Sequence, residues 1–122
     1  MGSVKDLTII KNTSRHSPGV GQFHFSDRYS VFDWGEMPDL ISNKGKALCI
    51  MGAFFFEKLA EMGIQSHYQG VVSEGKVKYL AQLKNPTDIM QVTLVHVIKP
   101  DFKDNIYDYS CFNHNDINFL IP

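Results

Sequence analysis

The segment Ser26-Asp27-Arg28-Tyr29-Ser30-Val31-Phe32-Asp33 sets a carboxylate beside a guanidinium, then hydroxyls and a second carboxylate. Arginine presents a rigid fork of N–H donors that matches a carboxylate or a phosphate, and a neighbouring aspartate can hold that fork in place. Downstream, Asn43-Lys44-Gly45-Lys46 stands where an apolar, helix-periodic stretch begins. Lysines at a helix entrance add their charge to the unpaired amides and dipole of the first turn, a combination suited to phosphate. Asp27, Arg28, Ser30, Asp33, Lys44 and Lys46 are therefore candidates for binding an anionic, partly phosphorylated substrate. A plainer alternative stands beside each. Asp27 and Arg28 also fit a local salt bridge in a turn, and both lysines fit a solvated surface.

Other chemistry is thin. Gly19-Val20-Gly21 is a lone GxG without the third glycine or the strand-to-helix setting of a dinucleotide fingerprint, so it reads as turn chemistry. His16, His24, His67, His96 and His114 never stand at HxxxH or HExxH spacing, and the chain has no nucleophile elbow, P-loop or zinc-type cluster. Cys49 and Cys111 lie far apart without a CxxC, which suits reduced, structural thiols.

The elements that must position these residues are legible in outline. Val4 to Lys11 has the β-branched character of a strand, residues 12–19 form a loop, and Val20 to Phe25 alternates as a second strand. Asp27 to Ser42 is interrupted by Gly35 and Pro38 and reads as an ordered functional loop. Asn43 then caps a helix in which Leu48, Met51, Phe55, Leu59 and Met62 recur at three- and four-residue steps as the packed stripe. Gly63 ends it, Glu57, Lys58 and Glu61 mark its wet side, and Ile50, Phe54 and Phe56 widen the apolar arc enough to predict cover on more than one side. His67 to Ser73 and Lys76 to Leu80 form a hairpin about Glu74-Gly75, and Gln91 to Ile98 is a further strand. Pro100 to Asn118 lacks a period, and Phe119 to Ile121 opens another apolar segment. The residues alone thus predict an α+β domain carrying an anion site.

Composition bounds the partners. A chain of 122 residues that is 43% apolar, with nine Phe, has enough for one core. Twelve basic and thirteen acidic side chains give a net charge of -1, so no overall field favours nucleic acid or an anionic membrane. The longest uncharged apolar run, Ala47 to Phe56, is about half of a membrane span. With no secretory leader pattern at the start, the expectation is a soluble, cytoplasmic protein.

The motifs in order add a family. Asp27-Arg28 through Ser30 to Phe32-Asp33, then Lys44-Gly45-Lys46-Ala47-Leu48, Phe55-Phe56-Glu57-Lys58-Leu59 and Gly63-Ile64-Gln65-Ser66-His67, resemble the phosphoribosylaminoimidazole-succinocarboxamide synthase (SAICAR synthetase) family in an archaeal-like variant. Its pattern runs D-R-x-S-x-F-D, K-G-x-x-L, W/F-F-x-x-L and G-I-x-T/S-H. Gly2-Ser3-Val4-Lys5-Asp6 resembles the family's G-K-V-R/K-D, with Ser3 in place of a lysine, and Leu120-Ile121-Pro122 resembles the opening of its first signature.

The resemblance implies that residues 1–122 are a single N-terminal lobe ending at an interlobe hinge. Its fold would be a mostly antiparallel sheet with one long packed helix, covering ATP as in kinases and ATP-grasp enzymes. It implies an ATP-dependent ligase of purine biosynthesis joining L-aspartate to carboxyaminoimidazole ribonucleotide, 5-amino-1-(5-phosphoribosyl)imidazole-4-carboxylate, through an acyl phosphate. Gly2, Lys5, Phe119, Leu120 and Ile121 would bind ATP, and Asp27, Arg28, Ser30, Asp33, Lys44 and Lys46 would line the substrate side. Mg2+ would be held mainly by a C-terminal lobe absent from this chain, which alone would be inactive. The alternative is a non-catalytic nucleotide- or ligand-binding lobe that works with a complementary C-terminal chain; a homo-oligomer also fits, as does a remnant that binds no ligand.

Overall fold

The computed structural model describes residues 4–97 and 99–108. In chain order these form β1 (Lys5–Lys11), β2 (Gly19–Phe25), β3 (Arg28–Val31), β4 (Gly35–Leu40), α1 (Lys44–Glu61), β5 (Tyr68–Ser73), β6 (Lys76–Lys78), β7 (Ile89–Leu94), β8 (Asp101–Lys103) and β9 (Ile106–Asp108). Short 3-10 turns occupy Phe32–Trp34 and Leu80–Gln82. The architecture is α+β, with an antiparallel five-stranded sheet in the order β1-β2-β7-β5-β6 and α1 laid across β2, β5 and β7. Gly2, Ser3, Cys111 and the predicted hinge residues Phe119 to Ile121 lie outside the described residues.

The pleat of β2 decides which side chains meet the helix. Phe23 lies opposite Leu7 and Met90, while Gln22 lies opposite Thr8 and Gln91, so the two sets point to opposite faces. Val71, Met90 and Val92 on the central strands, with Cys49 and Ala53 on α1, form the buried core, flanked by Phe23, Phe25, Phe56, Tyr68, Leu80, Leu83 and Leu94. On the other face a chain of side-chain amides crosses three strands. Gln22 Nε2 donates to Gln91 Oε1 at 3.0 Å, Gln91 Nε2 to Gln69 Oε1 at 2.8 Å, and Gln69 Nε2 to Thr93 Oγ1 at 2.9 Å.

The helix sits differently from its periodic stripe. Its buried positions are Gly45, Cys49 and Ala53, all small, which lets α1 approach the sheet closely. Leu48, Met51, Phe55 and Met62, predicted as the packed stripe, face outward instead, with Phe55 62% and Met62 73% exposed. Size explains the reversal, because a β-carbon at Gly45 would already collide with the Phe25 carbonyl. The C-terminus follows the sequence. Gly63 at φ +81° donates to the Ala60 carbonyl at 3.0 Å and Ile64 N to the Leu59 carbonyl at 2.9 Å, which is a Schellman closure.

Three further expectations change. The stretch from Asp27 to Ser42 is not a loop, since β3 and β4 pair as an antiparallel ribbon around the Phe32–Trp34 turn. The strand predicted from Gln91 begins two residues earlier at Ile89 and ends at Leu94. Part of the stretch after Pro100 is ordered, as the β8–β9 hairpin with a tight turn at Asp104 and Asn105, both at positive φ.

Candidate functional site

Ser26, Asp27 and Arg28 are consecutive, and each is held by a different part of the fold. Ser26 N and Oγ both donate to the Val4 carbonyl, at 3.0 and 2.9 Å, which pins the corner after β2 to the start of β1. Asp27 turns to the helix, where its Oδ1 accepts from Gly45 N at 2.9 Å and its Oδ2 from Asn43 N at 3.2 Å. Asp27, not Asn43, therefore caps α1. Asn43 is left-handed at φ +64° and its own side chain makes no capping bond. A fixed carboxylate thus fills the anion site that a helix N-terminus creates.

Arg28 is equally engaged. Its Nη2 donates to both oxygens of Asp6 at 3.0 Å, its Nε donates to Ser26 Oγ at 3.0 Å, and Glu36 lies 3.8 Å from Nη1. The expected Asp27–Arg28 pair is replaced by an Arg28–Asp6 pair, because the two side chains leave the chain toward different neighbours. Asp6 and Lys5 alternate on β1 and so fall on opposite faces. Lys5 lies on the helix side, its ammonium 4.4 Å from the Phe23 ring centroid and 5.9 Å from that of Phe25, and it makes no ion pair among the described residues.

The other predicted positions are more open. Ser30 and Asp33 are exposed, Ser30 opposite Glu36 in the β3–β4 ribbon and Asp33 in its turn. Lys44 is half-buried at the first turn of α1, and Lys46 lines a surface cavity with Asn43, Ala47, Ile50 and Pro86. The structure thus gathers Asp27, Lys44 and Lys46 at the helix entrance with Arg28 next along the chain, while Lys5 stands on the other side of β1.

The sequence of this fold is shared. The sequence model of SAICAR synthetase matches residues 10–97. The chain belongs to the SAICAR synthetase family. It is 53% identical, over all of its 122 residues, to an Archaeoglobus fulgidus protein provisionally named phosphoribosylaminoimidazole-succinocarboxamide synthase, and spans 35% of that relative's length. Phosphoribosylaminoimidazole-succinocarboxamide synthases from Thermoplasma volcanium and Thermoplasma acidophilum are each 46% identical over 46 residues, which is 38% of this chain and 15% of either relative. No solved structure matches the chain.

Two features of this SAICAR synthetase-family chain escaped the sequence. Glu57, predicted on the wet side, accepts the Tyr68 hydroxyl at 2.6 Å and Leu80 N at 3.0 Å, tying α1 to β5 and to the turn after β6. Burial, and then that hydrogen bond, pushes the Tyr68 phenol far above its usual range. The signal was weak, a Glu one position from a wide apolar arc. The second is His67, whose ring meets Phe56 edge-on with centroids 5.1 Å apart. Burial and then the Lys5 charge hold its imidazole below the ordinary value. A cavity of about 410 Å³ is lined by Phe56, Ala60, Gly63, Ser66, Tyr68 and Tyr79, and none of the predicted site residues among those described lines it.

Proposed function

We propose that this chain is the N-terminal, ATP-covering lobe of a soluble, cytoplasmic ATP-dependent ligase of purine biosynthesis. The reaction joins the amine of L-aspartate to the carboxylate of 5-amino-1-(5-phosphoribosyl)imidazole-4-carboxylate. The observation that carries this reading is the family match across residues 10–97, within which Asp27 caps the helix entrance that bears Lys44 and Lys46. ATP would supply the phosphoryl group that turns the imidazole carboxylate into an acyl phosphate, which the amine displaces as inorganic phosphate.

The chain's own residues fit a positioning role. The Lys5 ammonium lies against an aromatic face without a counter-ion among the described residues, so an incoming phosphate would meet its charge there. Lys44 and Lys46 make no ion pair among the described residues and can neutralise substrate charge. Arg28 reaches a substrate only by sharing or leaving Asp6, whereas Asp27 acts by fixing the helix start that presents the lysines. Ser30 and Asp33 are open to solvent and can meet the substrate directly. Gly2 and Phe119 to Ile121 complete the proposed ATP contacts. Among the described residues no three His, Cys, Asp or Glu side chains converge as metal ligands, so the Mg2+ that accompanies ATP is given no ligand here.

Two titrations and one turnover assay test the reading. Isothermal titration of ATP with magnesium should give binding that Lys5→Ala weakens, and titration of the imidazole nucleotide should give binding that Lys46→Ala weakens. Silence to both overturns it. Because the chain spans 35% of its Archaeoglobus relative, we expect no ligase turnover from it alone. The exposed stripe on α1 supports a second reading, a ligand-binding lobe completed by a partner chain, under which turnover appears only when that chain is added.

A further inference from the structure

The cavity at the C-terminal end of α1 is built from residues that the proposed ligase function does not use. Its volume of about 410 Å³ is within the usual range of small-molecule sites. Phe56, Tyr68 and Tyr79 line it and stand in a row, with the Phe56 and Tyr68 rings stacked at 5.5 Å and 15° and the Tyr68 and Tyr79 rings 5.8 Å apart at 35°. Tyr79 is 46% exposed, which leaves part of the row open to an arriving molecule. Gln65 joins the lining, and its side-chain amide makes no hydrogen bond among the described residues. From Lys44 to Ala60 the helix runs about 24 Å at 1.5 Å per residue, so this end stands well away from the entrance capped by Asp27.

The surrounding charge selects the sign of the ligand. Gly63, Gln65 and Ser66 line the cavity just past the end of α1, where the helix dipole leaves partial negative charge. The Schellman closure turns the Met62, Gly63 and Ile64 amides back onto helix carbonyls, so they do not face a ligand as donors. The Glu57 carboxylate accepts the Tyr68 hydroxyl at 2.6 Å, and a phenol that donates to a carboxylate has a more electron-rich ring, which attracts a cation more strongly. No Lys, Arg or His lines the cavity. Lys58, the basic residue of the last turn, pairs with Glu61 at 3.3 Å, and His67, edge-on to Phe56, is held toward its neutral form by burial and then by Lys5.

We propose that this cavity binds a small organic cation of the alkylammonium class. The carbon shell of the ammonium packs on the aromatic row, and its charge is met by the ring quadrupoles and the carbonyl end of α1. A metal ion is the poorer fit, because the rings offer no ligand atoms and among the described residues no three His, Cys, Asp or Glu side chains converge. A flat heterocycle is also the poorer fit. The rings are already packed on one another at 5.5 and 5.8 Å and leave no slot between parallel faces, whereas a rounded ammonium needs only to touch their outer surface. None of the lining residues is assigned to ATP or to the imidazole nucleotide, so this site goes beyond the catalytic reading and does not depend on it.

NMR titration of the full chain with choline tests the proposal, following the Gly63 and Gln65 backbone amides and the Gln65 side chain at constant ionic strength. We expect saturable shifts with a millimolar dissociation constant, and binding of the neutral isostere 3,3-dimethylbutan-1-ol weaker by about fivefold or more, as loss of a cation–π attraction predicts. Tyr79→Leu keeps apolar surface and removes a ring, so it should weaken choline by about fivefold while moving the neutral isostere by less than about twofold. Tyr68→Phe, which loses the bond to Glu57, should weaken choline by about twofold. Phe55→Ser, on the exposed stripe outside the cavity, should change neither. The absence of saturable shifts up to about 0.1 M choline overturns the proposal, as does equal binding of the two probes by the parent chain. A Tyr79→Leu chain that keeps its urea midpoint and binds choline as the parent does also overturns it. Silence to ATP and to the imidazole nucleotide, which would sink the ligase reading, leaves these expectations in place.

Discussion

Replacing Asp27 separates a structural carboxylate from a ligand-binding one. Asp27→Ala removes the acceptor for Gly45 N at 2.9 Å and for Asn43 N at 3.2 Å, and leaves two first-turn amides of α1 unpaired. Gly45 is buried against the Phe25 carbonyl, so water cannot readily replace the lost oxygen there. A lost helix cap costs about 1 kcal/mol, and the charge-assisted character of the stronger bond with the lost dipole interaction adds about 1–2 kcal/mol. The expected destabilisation is about 2–3 kcal/mol. For a domain of this size that is a fall in Tm of roughly 6–12 °C. Asp27→Asn keeps one oxygen for Gly45 but loses the charge and the acceptor for Asn43 N, so it should cost about 1–2 kcal/mol. Urea unfolding followed by far-UV circular dichroism gives both numbers from the shift in midpoint. If Asp27→Ala stays within about 0.5 kcal/mol of the parent, the cap is not stabilising and Asp27 is free to serve a ligand. If Asp27→Asn costs nothing, the charge contributes nothing and the dipole argument fails.

Two other changes probe the helix from its opposite faces. Phe56→Ala empties a half-buried ring stacked on Tyr68 at 5.5 Å and should cost about 3 kcal/mol in the urea midpoint, whereas Phe55→Ser, one residue away but 62% exposed, should cost under about 0.5 kcal/mol; comparable losses would mean that α1 is rotated from the orientation described. Burial pushes the Cys49 thiol from an ordinary 9.0 to about 12, so the stability it contributes is complete below pH 9 and is lost as pH rises above it. By about pH 10.5 that loss should reach about 2 kcal/mol in the parent and be absent from its share in Cys49→Ala, and equal alkaline slopes in the two proteins would contradict the burial of this thiol.

The strands were legible because their pleat is written as alternation. Gln22 and His24 against Phe23 and Phe25 told the two faces of β2 apart, and the sheet has them as the sequence implies. The helix was legible in its bounds but not in its facing. Leu48, Met51, Phe55, Leu59 and Met62 give the stronger periodic signal, since large apolar residues dominate any such reading. The sheet instead takes Gly45, Cys49 and Ala53, whose small size permits close approach but carries little hydrophobic weight. Periodicity reports where apolar surface lies, not which of two apolar faces a given neighbour covers.

The site was legible in its residue types and not in its partners. Asp27 and Arg28 stand together in sequence, which suggested a pair, yet the ladder of β1 brings Asp6 to the guanidinium across 22 residues and α1 brings Gly45 to the carboxylate across 18. Neither separation has a sequence signature, because both arise from strand order and helix placement. The consequence reaches the chemistry. A binding loop made of free side chains would order on contact with its ligand and weaken its affinity by the entropy lost. Here Ser26, Asp27 and Arg28 are already fixed to Val4, to the start of α1 and to Asp6, so that cost is met on folding. Among the described residues Lys5, Lys44 and Lys46 make no ion pair, and they stand on strand and helix positions. Under the proposed function, such a site would recognise anions by placed cations rather than by the Asp–Arg motif that first marks it in the sequence.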